Sequence, residues 1–133
     1  MPDLHVILID DNDVDIIVNS KLMVLAGITK SIVPFTGGDE FVNHLQNHPQ
    51  TVQPGNTVVL MDIQMPSMDG FQALERFVNE QPNAAKGCHI FMLSSSIDKG
   101  DIRRAEDIPY IIKVLEKPLD VYSLKRYVDA EAT

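Results

Sequence analysis

A chain of 133 residues suits one compact domain, large enough to bury a single core without disulfides or a structural metal. Its 11 Lys and Arg stand against 19 Asp and Glu, and the net charge of -8 opposes a phosphate backbone and leaves no basic stripe for nucleic acid. The one cysteine, Cys88, excludes an internal disulfide, and no run approaches the roughly 20 apolar residues that span a bilayer.

In chain order, the first apolar run is LHVILI (4–9). No signal peptide precedes it, so a soluble cytoplasmic protein is expected. Apolar residues then recur at helical spacing at Val14, Val18, Leu22 and Leu25, which predicts a helix buried along that stripe, with Gly27 closing it. SIVPF (31–35) is a second strand, followed by a helix carrying Phe41 and Leu45; the polar stretch 48–56 reads as a surface loop. TVVLM (57–61) is a third strand. Asp69 is placed to cap the next helix, whose apolar positions are Phe71, Leu74 and Val78. Residues 81–87 read as loop, HIFML (89–93) as a fourth strand, and the charged segment 97–109 as a short helix. IIKVL (111–115) and a last helix on Val121, Leu124 and Val128 complete the chain. The runs at 4–9, 57–61 and 89–93 are nearly continuously apolar, as strands covered on both faces must be. Strict alternation of strand and helix predicts a doubly wound α/β domain over residues 1–133. Its site should lie at the carboxyl ends of the strands.

Those ends are polar. The first strand runs into Asp10 and Asp11, the third into Asp62, the fourth into Ser94, Ser95 and Ser96, and the fifth into Glu116, Lys117 and Pro118. Singly, an Asp after a strand is most simply a helix cap. Together the carboxylates repel by about 4 kcal/mol per pair at roughly 4 Å in an effective dielectric of about 20, and a cation should offset this. Mg2+ suits the set, since it takes one or two carboxylates with water and a substrate phosphate. Lys117 could hold a phosphoryl oxygen from the other side, leaving one carboxylate as a nucleophile that forms an aspartyl phosphate.

The segments LIDDN (8–12), VLMDIQMPSMDG (59–70), MLSSS (92–96) and EKPL (116–119) resemble, in that order and spacing, the receiver domain of two-component response regulators. The resemblance covers essentially the whole chain. It implies a flavodoxin-like, five-stranded parallel sheet of order 2-1-3-4-5; because the sequence ends just after the expected fifth helix, no output domain is expected. It also implies Asp62 as phosphoacceptor, Asp10 and Asp11 as the acidic pair for Mg2+, and the Gln64 backbone carbonyl as a further metal ligand. Ser94 matches the switch hydroxyl, with Ser95 as its rival, and Lys117 the phosphate-binding lysine, with a cis bond before Pro118. The implied partners are a sensor histidine kinase or phosphotransfer protein and a protein target. The chain would be a signalling switch and not an enzyme acting on a separate substrate.

Three motifs compete. GGDEF (37–41) spells the signature of cyclic di-GMP synthases, but here it opens a helix after a strand in a chain too short for a cyclase. An EF-hand loop from Asp11 would need Gly and Glu where Ile16 and Leu22 stand. A haloacid dehalogenase-type phosphatase could use Asp11 and Asp13, although Asp15 stands where such enzymes carry Thr. That reading is the enzyme-class alternative. His5, His44, His48 and His89 show no ligand spacing.

Overall fold

The computed structural model describes residues 4–53, 55–96 and 98–132, with side chains through 129. Its five strands are β1 (His5–Ile9), β2 (Ile32–Phe35), β3 (Thr57–Asp62), β4 (Cys88–Ser94) and β5 (Ile111–Glu116). They form one all-parallel sheet of order β2-β1-β3-β4-β5. The helices are α1 (Asp13–Leu25), α2 (Gly38–Asn47), α3 (Gly70–Glu80), α4 (Pro82–Lys86), α5 (Lys99–Glu106) and α6 (Val121–Ala132). The expected doubly wound fold and strand order are both present.

The alternation of side chains along each strand separates two cores. Ile7, Ile9, Val59, Met61, Ile90 and Met92 face α2 and α3, where Phe41, Leu45, Phe71, Leu74 and Phe77 meet them. Val6, Leu8, Val58, Leu60, Phe91 and Leu93 face α1 and α6, against Ile16, Met23, Val121, Leu124 and Val128. Val58, Val59, Leu60 and Met61 of the central strand are wholly buried, each contributing about 1.5 to 3 kcal/mol. This is why the central runs read as continuously apolar.

The first helix departs from expectation. Val14, Val18, Leu22 and Leu25 are 65, 48, 38 and 83 % exposed, and Ile17 and Val24 are also open to solvent. The core instead receives Ile16, Asn19 and Met23. Apolar residues surround most of α1, so periodicity alone offers two faces and cannot rank them. Packing into the core shared with the strands and α6 selects one, and the other remains a surface stripe.

Two connections expected as loop carry short helices. In 81–87, Pro82 occupies the first helical position, where its missing N–H is harmless, and five residues close as α4 with Ala85 buried. Pro49–Thr51 form a single 3-10 turn. Neither is long enough to display a helical period. The helix expected in 97–109 is present as α5, capped by the Asp98 side chain on the Gly100 amide at 2.7 Å; residue 97 lies outside the described residues. Gly27 follows α1 with a φ of +75°, the conformation in which glycine closes a helix.

GGDEF has a structural explanation. A Cβ on Gly38 would stand 2.6 Å from the Ala73 Cβ, so this glycine lets α2 approach α3. Glu40 turns back to accept from the Thr36 amide at 3.2 Å and its hydroxyl at 2.6 Å, and Phe41 is core. Gly70 makes a similar close approach nearer the site: an added Cβ would meet the Asp62 carbonyl oxygen at 2.3 Å. Gly70→Ala is therefore expected to destabilise the protein by about 2 kcal/mol through overpacking, measurable as a lowered urea midpoint with an unchanged slope.

Candidate functional site

The carboxyl ends of β1 and β3 flank the point where the strand order reverses, the place at which doubly wound sheets bind ligands. Backbone bonds hold this edge together. The Asp10 amide donates to the Phe35 carbonyl at 3.0 Å, Ile63 to Leu93 at 2.9 Å, and Lys117 to Ser94 at 2.7 Å. The loop after Asp62 returns through Gly70, whose amide donates to Ile63 at 2.8 Å. Asp69 then caps α3 in a reciprocal arrangement with Gln72. The bond between Lys117 and Pro118 is cis.

Asp10, Asp11 and Asp62 converge so that one carboxylate oxygen from each lies within 4.8 Å of the others. Asp10 is sealed from solvent, Asp62 is 5 % exposed, and Asp11 is open. Lys117 reaches in from the end of β5, placing Nζ 2.7 Å from Asp10 Oδ2, 3.0 Å from Asp62 Oδ2 and 3.4 Å from Asp15 Oδ2. Asp10 Oδ1 accepts from the Asn12 amide at 2.9 Å, and Asp62 Oδ1 from the Gln64 amide at 3.2 Å. Ser94 is buried and its hydroxyl donates to the Ser96 carbonyl, whereas Ser95 is exposed. Asp13, the second carboxylate of the phosphatase alternative, is exposed at the first position of α1.

Burial drives the Asp62 carboxyl up from 3.8 to about 6, with the Asp10 charge adding to it and Lys117 and the Gln64 amide opposing. Burial alone would lower the Lys117 ammonium, but hydrogen bonds and charge from Asp10 and Asp62 outweigh it and hold the lysine above its ordinary range. The two directions are compatible, because one ammonium cannot neutralise several carboxylates. Lysine stays charged while Asp62 resists ionisation.

The sign of the linkage follows. Folded Asp62 binds its proton more tightly than the unfolded chain does, so its ionisation removes stability as pH rises from about 4 to about 6. Lys117 contributes stability that is present below its ordinary pKa of 10.5 and lost only at higher pH. The Asp62 shift corresponds to about 3 kcal/mol; partial solvent access and the lost lysine contact reduce the expected gain on neutralising it to about 1 to 2 kcal/mol. In EDTA at pH 7, Asp62→Asn should be more stable than wild type by that amount, with the difference vanishing near pH 4 in urea titrations.

The donor set fits a hard divalent cation. It is all oxygen, carries excess negative charge, and includes Asp10 Oδ2, a buried atom that is close to Lys117 but makes no aligned hydrogen bond. Mg2+ would be held by Asp10, Asp11 and Asp62.

The order of residues had indicated Asp10, Asp11, Asp62, Ser94 and Lys117, and all come to one sheet edge. Asp15 was not among them. It stands in the first turn of α1, just after the acidic end of β1, and that nearness in sequence was the available signal. Cys88 is half-buried, its thiol donates to the Ala84 carbonyl at 3.1 Å, and burial raises it to about 12, so it is inert. His44 and His48 stack at 4.7 Å at the C-terminal end of α2. Among the described residues, no helix is long and apolar enough to cross a membrane.

Comparison with known proteins agrees with this geometry. The chain is similar to a response regulator receiver protein from Dyadobacter fermentans, at 32 % identity over 94 % of this chain and 98 % of that one, with a TM-score of 0.79. It is similar in fold to a two component response regulator from Cytophaga hutchinsonii, at 24 % identity, 97 % of each chain and a TM-score of 0.86. A third similar fold is the CheX-CheY-BeF3-Mg2+ complex from Borrelia burgdorferi, at 21 % identity, 98 % of this chain, 90 % of that one and a TM-score of 0.73. The model of the response regulator receiver domain matches residues 6–129. With the strand-end aspartates Asp10 and Asp62 paired to one lysine, and that match over nearly all its length, the chain belongs to the response regulator receiver family, signalling domains of two-component systems.

Proposed function

We propose that this receiver takes a phosphoryl group from a phosphohistidine onto Asp62, with Mg2+, and alters its protein-binding surface in response. The observation that carries this reading is the seat of Lys117, which presents an ammonium to Asp62 inside a carboxylate cluster at the sheet's switch point. An oxygen of Asp62 bonds to phosphorus as the phosphorus–nitrogen bond breaks, and the electron pair of that bond stays on the imidazole. Lys117 offsets charge on the phosphoryl oxygens. Asp10, Asp11, Asp62 and the Gln64 carbonyl would hold Mg2+, which would supply further positive charge against the phosphoryl oxygens. The Ser94 hydroxyl, bonded to its own loop at Ser96, turns to donate to the phosphoryl group, and this rearranges the end of β4. A protein of similar fold from Borrelia burgdorferi is solved in a complex with BeF3 and Mg2+, which is in keeping with a metal in this reading.

Donor docking has support on the surface. The apolar stripe of α1 starts one turn from Asp11 and runs outward from the rim of the site through Val14, Ile17 and Val18 to Leu25. A helix bearing the phosphohistidine would cover it. The phosphatase reading has less support, since Asp13 is exposed and Lys117 pairs with Asp10, Asp15 and Asp62. The test is incubation with acetyl phosphate and Mg2+, followed by intact mass spectrometry. One acid-labile phosphoryl group, which fails to form when Mg2+ is chelated beforehand, is the expected result; an acid-stable adduct or none would refute the reading.

A further inference from the structure

Lys117 divides its ammonium among three carboxylates of unequal kind. Asp10 Oδ2, at 2.7 Å, and Asp62 Oδ2, at 3.0 Å, belong to the cluster that suits a divalent cation. Asp15 Oδ2, at 3.4 Å, stands outside it on α1, with its side chain 40 % exposed. A divalent cation drawn to Asp10 and Asp62 competes with the ammonium for the same negative field, because like charges repel at such distances. Of the three partners, only Asp15 can keep the ammonium once the other two are engaged. Asp10 is fully buried and its Oδ2 lies 2.7 Å from the ammonium, so the lysine can leave it only when the cation replaces its charge there.

We propose that Asp15 is a positioning residue for Lys117: it receives the ammonium when Mg2+ takes Asp10 and Asp62, and holds it at the rim of the site within reach of an incoming phosphoryl oxygen. This rests on the reading of the cluster as a Mg2+-dependent phosphoacceptor site. The backbone amide of Asp15, not its carboxylate, completes the Asn12 cap of α1 at 3.1 Å, so removing the carboxylate charge leaves the helix start intact.

The experiment is Mg2+ titration of the unphosphorylated full chain, followed by amide NMR shifts. The proteins compared are wild type, Asp15→Asn and Asp15→Glu, and Asp15→Asn again in a Lys117→Met background. Asp15→Asn is expected to weaken Mg2+ binding about fivefold, with Asp15→Glu restoring it to within about twofold. In the Lys117→Met background, Asp15→Asn should change the affinity by less than about twofold, the mark of coupling through the lysine. Equal losses in both backgrounds would reduce Asp15 to a remote charge and overturn the proposal, as would no loss in either. Wild type that fails to bind Mg2+ at all would overturn the proposal together with the functional reading beneath it.

Discussion

Asp62→Asn is expected to lower phosphoryl incorporation from acetyl phosphate, and from any phosphohistidine donor, by more than about 100-fold, since the amide is no nucleophile. The neighbouring carboxylates are poor substitutes for distinct reasons. Asp10 is fully buried, with Oδ1 held by the Asn12 amide, so an incoming phosphorus atom has no approach. Asp11 is exposed, and Lys117 pairs with Asp10, Asp15 and Asp62 instead. Of Asp10, Asp11 and Asp62, only Asp62 joins a small opening to solvent with contact to the ammonium. Because the variant should also be the more stable protein in EDTA at neutral pH, lost labelling could not be ascribed to unfolding. Undiminished incorporation in Asp62→Asn would move the acceptor elsewhere.

The double variant Ile17→Ser, Val18→Ser should separate donor docking from chemistry. Both side chains are about half exposed, and burying such residues under a partner helix contributes about 1 kcal/mol or slightly more each. Losing both corresponds to a fall of roughly 30- to 100-fold in kcat/KM for transfer from a phosphorylated histidine phosphotransfer protein that labels the wild type. Phosphorylation by acetyl phosphate needs no docked helix and should stay within about twofold of wild type. Serine is close to Ile and Val in helix propensity, and the positions lie off the core, so the fold should be unaffected. An equal decline with both donors would point to damage at the site, and no decline with either would leave the stripe without this role.

Much of the architecture was legible because its causes are local or periodic. Continuous apolar runs mark strands covered on both faces, and β1, β3 and β4 fell where LHVILI, TVVLM and HIFML predicted them. The polar residue that ends such a run must emerge at the sheet's edge, so Asp10, Asp62, Ser94 and Lys117 could be assigned to one edge before any distance was known. Asp69 and Gly27 were legible for a similar reason, since a cap and a left-handed turn depend on the few residues around them.

What the linear order left open was set by long-range packing. Apolar residues surround most of α1, and only packing into the core shared with the strands and α6 decided that Ile16, Asn19 and Met23 go inward while Val14, Ile17, Val18 and Leu25 stay in solvent. α4 is a single turn held by its surroundings, too short for a period to reveal. The two glycines before Asp39 suggest a nucleotide-handling loop by spelling alone, but the approach of Ala73 to Gly38 gives the first helix turn a packing reason for glycine. Asp15 and Lys117 are 102 positions apart, and neither position reveals the other. Their meeting depends on α1 leaving β1 at one angle and β5 ending beside it, a relation that exists only once the sheet has closed its order.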